Sequence, residues 1–425
     1  MGTTADFLPQ RVGKPAWTRP GSPAYLRVSL ALFLAGFATF SLLYCVQPLL
    51  PAFAQDFRVS PAESSLALSL STGFLAIAIL CAGVASEVVG RRGLMFASLI
   101  GAAILNMAGA VAPDWLVLLI ARALEGFVLG GVPAVAMAYL AEEIDPRGLG
   151  LSMGLYVGGA AFGGMFGRVI VGALTQFTSW RIMLGGIGLL DLLAASVFFI
   201  LLPAPRNFVR QPQLRLRHQL AVWHGHFRHG PLPLLFLIGF LMMGAFITVY
   251  NYATFRLRGA PYKLSDAEIS LIFLVYLFGV ASSGIAGSLS DRYGRGPILI
   301  AGIAIAGIGL GLTLMHPVAA IICGIAMVTI GFFVGHSTAS SWVANAAVGT
   351  KGHASSLYLL AYYAGSSIIG SIGGWFWAAG QWPAVATFVS ALLALAVAAD
   401  LLLLRRRSFE QPGSRPALAP PRRMD

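Results

Sequence analysis

Long apolar runs alternate with short polar breaks along almost the whole chain. Twelve runs fall at 28–53, 62–85, 94–112, 115–140, 149–174, 180–202, 232–256, 268–289, 297–316, 317–343, 354–378 and 382–404. Each is near the roughly 20 residues that a helix needs to cross a bilayer core. Gly, Pro and charged residues mark the breaks, and the one between the ninth and tenth runs rests on His316-Pro317 alone. The pattern predicts an all-α membrane protein with twelve transmembrane helices. Polar segments remain at 1–27, 203–231 and 405–425. The first of these is too polar, and the run after it too long, for a cleaved signal peptide.

Composition agrees with this pattern. Hydrophobic residues make up 57% of 425 and charged residues 10%, against about 25% charged in an average soluble domain. The net charge of +12 changes the picture only through its placement. Polar segments on the side of the termini hold 21 Lys and Arg, and those on the other side hold five: Arg58, Arg181, Arg256, Arg258 and Lys263. Basic residues collect on the cytoplasmic side, so both termini are expected there, with the basic tails on anionic headgroups rather than on nucleic acid. The richness in Arg over Lys, and in Ala, Gly and Leu, points to a GC-rich bacterium and hence to its inner membrane. Cys45, Cys81 and Cys323 lie inside apolar runs and form no disulfide or metal pattern. His218, His224, His226 and His229 in the linker lack a ligand spacing, so no metal is expected. Leu214 to Trp223 in the same linker reads as a short interfacial helix.

The chain also repeats itself. Gly83-Val-Ala-Ser86-Glu87-Val-Val-Gly90-Arg91-Arg92 follows the second run, and Gly287-Ser-Leu-Ser290-Asp291-Arg-Tyr-Gly294-Arg295-Gly296 follows the eighth, 204 residues on. Arg147-Gly148 and Ser152 meet Lys351-Gly352 and Ser356 at the same offset. Duplication of a six-helix unit follows, giving bundles at 28–202 and 232–404.

Two copies of Gly-x-x-x-Asp-x-x-Gly-Arg at corresponding places resemble the signature of the major facilitator superfamily. Within it, the chain is similar to the YnfM-type inner-membrane transport proteins of the proton-driven exporter branch, through Tyr44-Cys-Val-Gln47-Pro48-Leu-Leu-Pro51 and Trp180-Arg181. The resemblance implies two pseudo-symmetric bundles that rock about a midplane site. It also implies a cytoplasmic gate formed by Gly83, Glu87, Gly90 and Arg91 and by Gly287, Asp291, Gly294 and Arg295. Glu87 stands where the family has Asp. Glu142 and Glu143, at the end of the fourth run, can serve as the acid that Arg91 needs. The matching stretch 344–352 has no acid, so the latch is complete in one half only.

Ionisable residues inside spans are functional candidates by default. Arg122 and Glu125 lie three apart on one helical face and can pair. The family has Gln at the second position. The pair is either a neutralising clamp or a polar centre for substrate and protons. Arg168 has no acid on its own helix, which leaves Glu125, Asp191 or a substrate oxygen as its partner. Asp191 is mid-span in a helix that the family fold keeps outside the cavity, which favours a structural role for it. With Arg122 and Arg168 against Glu125 and Asp191, the intramembrane charges cancel. Polar aromatics replace charge in the second half: Tyr250-Asn251-Tyr252, His336, Tyr358, Tyr362 and Tyr363. Glycines crowd the fifth span, but the Pro of the exporter pattern is missing there.

A secondary transporter that exports a small organic molecule against protons is therefore expected, acting as a monomer, with no cofactor. Candidate substrate or coupling residues are Tyr44, Gln47, Arg122, Glu125, Arg168, Asp191, Tyr250, Asn251, His336 and Tyr362. Rivals are uptake of a sugar or organic anion, favoured by the two arginines, and a transport-inactive sensor. No nucleophile elbow, metal-ligand spacing or ATP-binding loop points to an enzyme or a pump.

Overall fold

The computed structural model describes residues 17–208, 223–227, 230–347 and 351–410. The expected interfacial helix of the linker lies almost wholly outside them, as do His218 and His229. Among the described residues the protein is α-helical, with an isolated bridge between Thr18 and Ile144. Eleven helical runs are long and apolar enough to cross a membrane. The last of these, Gly352–Arg405, has 54 residues, about 80 Å of helix and far more than one crossing needs. Its backbone leaves the helical region at Gly380 and Gln381, which divides it into spans eleven and twelve. The described residues thus form twelve helices long and apolar enough to cross a membrane, and the weak boundary at His316-Pro317 is real: span nine ends at Thr313 and span ten begins at Val318.

Local chemistry sets the span boundaries. The same capping box opens spans two and eight: Ser60 with Glu63, and Ser265 with Glu268, each exchange side-chain and backbone hydrogen bonds. Both spans end on glycine, Gly90 with φ 101° and Gly294 with φ 87°. Such values are freely open only to glycine, so the repeated motif is also the hinge that turns each chain into the next helix. Pro48 and Pro51 lack the N–H that would continue span one as α-helix. The span runs from Pro23 to Tyr44, passes through a 3-10 turn at Gln47–Leu49 and resumes at Leu50–Asp56. Span four breaks between Leu129 and Pro133, and span eight has a 3-10 turn at Ile272–Val275. Span five, without the exporter proline, is one unbroken helix, Pro146–Thr175.

Span five packs on span one backbone to backbone. A Cβ on Gly159 would stand 2.2 Å from the Phe33 carbonyl, and one on Gly163 2.1 Å from that of Phe37. Small residues are what permit such an approach.

The two halves meet mainly at the end away from the termini. There Gly374 lies against Ala62 and Gly172 against Ser270, and midway along span two Gly73 lies against Ser367. At the terminus-side end, Gly83 and Gly154 of the first half and Gly284 and Gly287 of the second have open space where a Cβ would sit. Contacts between the halves thus gather toward one end, while these glycines at the other have room around them.

Candidate functional site

The break in span one is the origin of the site. It frees the carbonyls of Leu42 and Leu43, and the fully buried Arg122 donates to both, at 3.3 and 2.9 Å. Arg122 also donates to the Ala67 carbonyl of span two at 3.1 Å, to Asn106 of span three at 3.3 Å and to Glu125 at 2.5 Å. Its fork of donors is taken up inside the first half by spans one to four. The paired-face expectation for Arg122 and Glu125 holds, with one Glu125 oxygen, Oε1, left without a partner. Because every partner of Arg122 belongs to one bundle, rocking of the halves does not by itself part the pair.

Asp191 completes this buried knot. Ser41 of span one donates to its Oδ2, and its Oδ1 has no partner. Cys45 lies near all three charged groups, with its Sγ 3.7 Å from Asn106 Oδ1. Asp191 lies within electrostatic reach of Glu125 but makes no contact with Arg122, so this region holds two carboxyls and one guanidinium, and one proton would balance the charge.

Arg168 does not join them. Among the described residues it forms no ion pair, although it is 1% exposed. Its Nε donates to Gln47 Oε1 at 2.6 Å and its Nη1 to the Gly164 carbonyl at 2.8 Å. The guanidinium carbon lies 4.0 Å from the centre of the Tyr44 ring, 4.8 Å from that of Tyr276 and 5.5 Å from that of Phe273. Aromatic faces partly stabilise a buried cation. Of the three partners expected for Arg168, neither acid is used.

Gln47 carries the contact across the halves. Arg168 can only donate, so it fixes which end of the Gln47 amide is oxygen. The Gln47 Nε2 then donates to Asn251 Oδ1 of span seven at 2.7 Å, and Asn251 Nδ2 is left a buried donor without a partner. Gln47 and Asn251 are 204 residues apart, the offset of the loop motifs. They are equivalent positions of the two repeats, meeting at the closed end.

On the second half, Tyr250 shares a hydrogen bond of 2.7 Å with Thr329 and stacks on Phe273. His336 is half-buried, with Nδ1 3.0 Å from the Tyr358 hydroxyl and its ring 4.6 Å from that of Tyr362. Neither touches the Arg122 knot.

The terminus-side motifs differ between the halves. Arg91 grips Glu142 through two hydrogen bonds of 2.6 and 3.2 Å and also holds Ser86. Glu143 is not a second partner for Arg91. It faces the other way and accepts the backbone N–H groups of Arg206 and Asn207, both at 2.8 Å, because the chain leaving span six folds under the end of span four. The Glu87 side chain lies outside those described. In the second half Arg295 reaches the Ser341 hydroxyl at 3.3 Å, where no acid is available. Asp291 is exposed.

Sequence reasoning missed three contributors to the site and one further intramembrane acid. Asn106, Phe273 and Tyr276 look like ordinary span residues until tertiary contact brings them to Arg122 or Arg168. Asp400 was legible, because it is an acid in the apolar run 382–404. It is fully buried and neither of its oxygens has a partner. With it counted, the intramembrane charges do not cancel: Glu125, Asp191 and Asp400 stand against Arg122 and Arg168. The Trp180-Arg181 pair is explained by contacts at the far ends of the first-half spans. Trp180 donates to Asp56 at 3.0 Å, and Arg181 donates to the Ala112 carbonyl at 2.6 Å.

A family model described as Major Facilitator Superfamily matches residues 32–262 and 259–423. The Inner membrane transport protein YnfM of Escherichia coli is 44% identical over 411 residues, covering 95% of this chain and 98% of that protein. The Uncharacterized MFS-type transporter YybF of Bacillus subtilis is 44% identical over 381 residues, 90% of this chain and 94% of that one. Among solved structures, a peptide transporter POT in complex with sulfate superposes with a TM-score of 0.74 at 13% identity, covering 93% of this chain and 96% of that one, which is a likeness of fold. With twelve spans, the duplicated loop motif and these matches, the chain belongs to the major facilitator superfamily of membrane transporters.

Proposed function

We propose that this protein exports a small organic molecule across the bacterial inner membrane in exchange for protons, by alternating access. The observation that carries the reading is the fastening of the halves at one end through Arg168, Gln47 and Asn251. Two bundles held in this way have an obvious second arrangement, fastened at the opposite end instead. Lys and Arg collect on the terminus side, so the fastened end faces the outside. Both halves and the bridge belong to one chain, and a monomer suffices.

The knot of Arg122, Glu125 and Asp191 supports proton coupling, because it is one proton short of balance and a buried carboxylate without a cation is costly. Its link to the bridge is the broken segment of span one. Ser41, Leu42, Leu43 and Cys45 touch the knot, while Tyr44 and Gln47 touch Arg168. A change of protonation at the knot moves the same seven residues that hold the halves together. The gate residues Gly83, Glu87, Gly90, Arg91, Glu142, Gly287, Asp291, Gly294 and Arg295 form the clasp that closes the cytoplasmic end in the opposite state.

The test is flux in proteoliposomes with and without an imposed pH gradient. Wild type should accumulate substrate against its gradient when protons flow the other way. Glu125→Gln should still exchange substrate at equal pH but lose accumulation. Equal accumulation by Glu125→Gln moves the proton site to Asp191, and accumulation by wild type without a pH gradient sinks proton coupling. Uptake of an organic anion is the second reading, favoured by the unpaired charge of Arg168, and the direction of flux separates the two.

A further inference from the structure

Arg168 is a buried cation in the seam between the halves, with no carboxylate to balance it. Its present partners are an amide oxygen, a backbone carbonyl and three aromatic faces. All are neutral, and all are weaker for a guanidinium than a carboxylate, which accepts two parallel hydrogen bonds from it. Asn251 Nδ2, fully buried and without a partner, is a further donor in the same seam. Donors here outnumber acceptors, and the fixed charge is positive. A cationic ligand would meet repulsion and no compensating acid, because the Arg122 knot faces the inside of the first half.

The walls beside Arg168 specify the rest of the ligand. Phe246 and Phe332 stack with ring centres 3.9 Å apart. Tyr250, Phe273 and Tyr276 pack with this pair and reach the guanidinium, and Tyr362 and the half-buried His336 pack against Phe332; in the fastened state these rings fill the seam themselves, and their faces become available when it parts. Rings stack readily on such a surface.

We propose that Arg168, assisted by Asn251, receives the carboxylate of an aromatic monocarboxylic acid, and that the carboxylate takes the guanidinium from Gln47 and so unfastens the closed end. The proposal rests on the transport reading above and names its substrate class. The second part follows from the connectivity. Arg168 holds Gln47, and Gln47 holds Asn251 across the seam. A ligand that outcompetes Gln47 for Arg168 frees the amide that ties the halves. Binding then favours the state in which the outer end opens, through a differential interaction of the kind a population shift requires.

The experiment uses the full chain in lipid nanodiscs without any gradient, with benzoate, benzamide and tetraphenylphosphonium as probes. Binding is read by thermal stabilisation. Opening is read by the alkylation rate of a cysteine at Ser69, a buried position of the closed end beside Gly370, with Cys45, Cys81 and Cys323 replaced by serine. Benzoate should bind saturably, at least about tenfold more tightly than benzamide, and should speed alkylation, whereas tetraphenylphosphonium should not displace it. Arg168→Gln should lose benzoate binding by about tenfold or more, while Arg168→Lys, which keeps the charge, should retain part of it. Benzamide or tetraphenylphosphonium binding as well as benzoate overturns the substrate class, as does undiminished benzoate binding by Arg168→Gln. Benzoate that binds without speeding alkylation overturns the unfastening step. Should Arg168→Gln fail to fold, the three probes on the unsubstituted site and on Arg168→Lys still decide. Because no gradient is present, a protein that binds benzoate but fails in the proteoliposome flux test refutes proton-coupled export and leaves this proposal standing.

Discussion

Removing the amide of Asn251 should open the outer end of the protein. Asn251→Ala deletes the 2.7 Å hydrogen bond from Gln47 and leaves Gln47 held by Arg168, so the perturbation is confined to the link between halves. Both residues are fully buried, and the abandoned Nε2 of Gln47 has no water to turn to in the closed state. An unmatched buried donor of this kind costs about 1–3 kcal/mol. In the open state water reaches the same group, so most of the penalty falls on the closed state alone. Asn251→Ala also removes Nδ2, a buried donor that already lacks a partner, which offsets part of this penalty, so the ratio of outward-open to closed protein should rise by about 5-fold, the lower end of what such a penalty gives. The alkylation rate of Ser69→Cys from the outer side reports this ratio while the open state is a minority, because the site reacts only when the seam parts. The rate in Asn251→Ala should therefore rise by the same factor, and Gln47→Leu should give a similar increase. A rate within twofold of the parent refutes the idea that this hydrogen bond fastens the halves.

Four further outcomes are expected. A double-mutant cycle on Arg91→Ala and Glu142→Gln should give a coupling near the upper end of the ~0.2–1 kcal/mol seen for partly exposed pairs, read from thermal unfolding, and a zero coupling would dissolve the first-half clasp. Asp291→Asn should slow turnover more than it weakens binding, since Asp291 is exposed here and acts when the cytoplasmic end closes. Turnover at the unsubstituted rate would remove it from the gate. Gly163→Ala should lower the unfolding temperature, because its Cβ would stand 2.1 Å from the Phe37 carbonyl and overpacking costs about 1–3 kcal/mol or more. Gly158→Ala, on the same helix with open space at that position, should be nearly neutral. A maleimide should label Arg292→Cys only from the cytoplasm and Lys263→Cys only from outside; the reverse would invert the topology.

Much of the fold was legible in the chain, for a physical reason. Lipid forces every backbone group to be satisfied within a helix, so each crossing announces itself as one apolar run. Duplication is just as visible, because Gly90 and Gly294 occupy backbone angles that other residues resist. The sequence also marks Arg122, Glu125, Arg168 and Asp191 as costly groups in the wrong solvent, and it marks Asp400 no less clearly. It cannot assign their partners. Glu125 and Arg122 could be paired because helical spacing is a local property. That Arg168 would turn to Gln47, that Glu143 would hold the linker instead of Arg91, and that Asp191 would rest on Ser41 depend on contacts between residues more than 60 positions apart. Periodicity describes one helix at a time. Only the packing of spans one, five and seven against each other joins Gln47 and Asn251, which the sequence offers as separate candidates on different helices, into the fastening between the two halves.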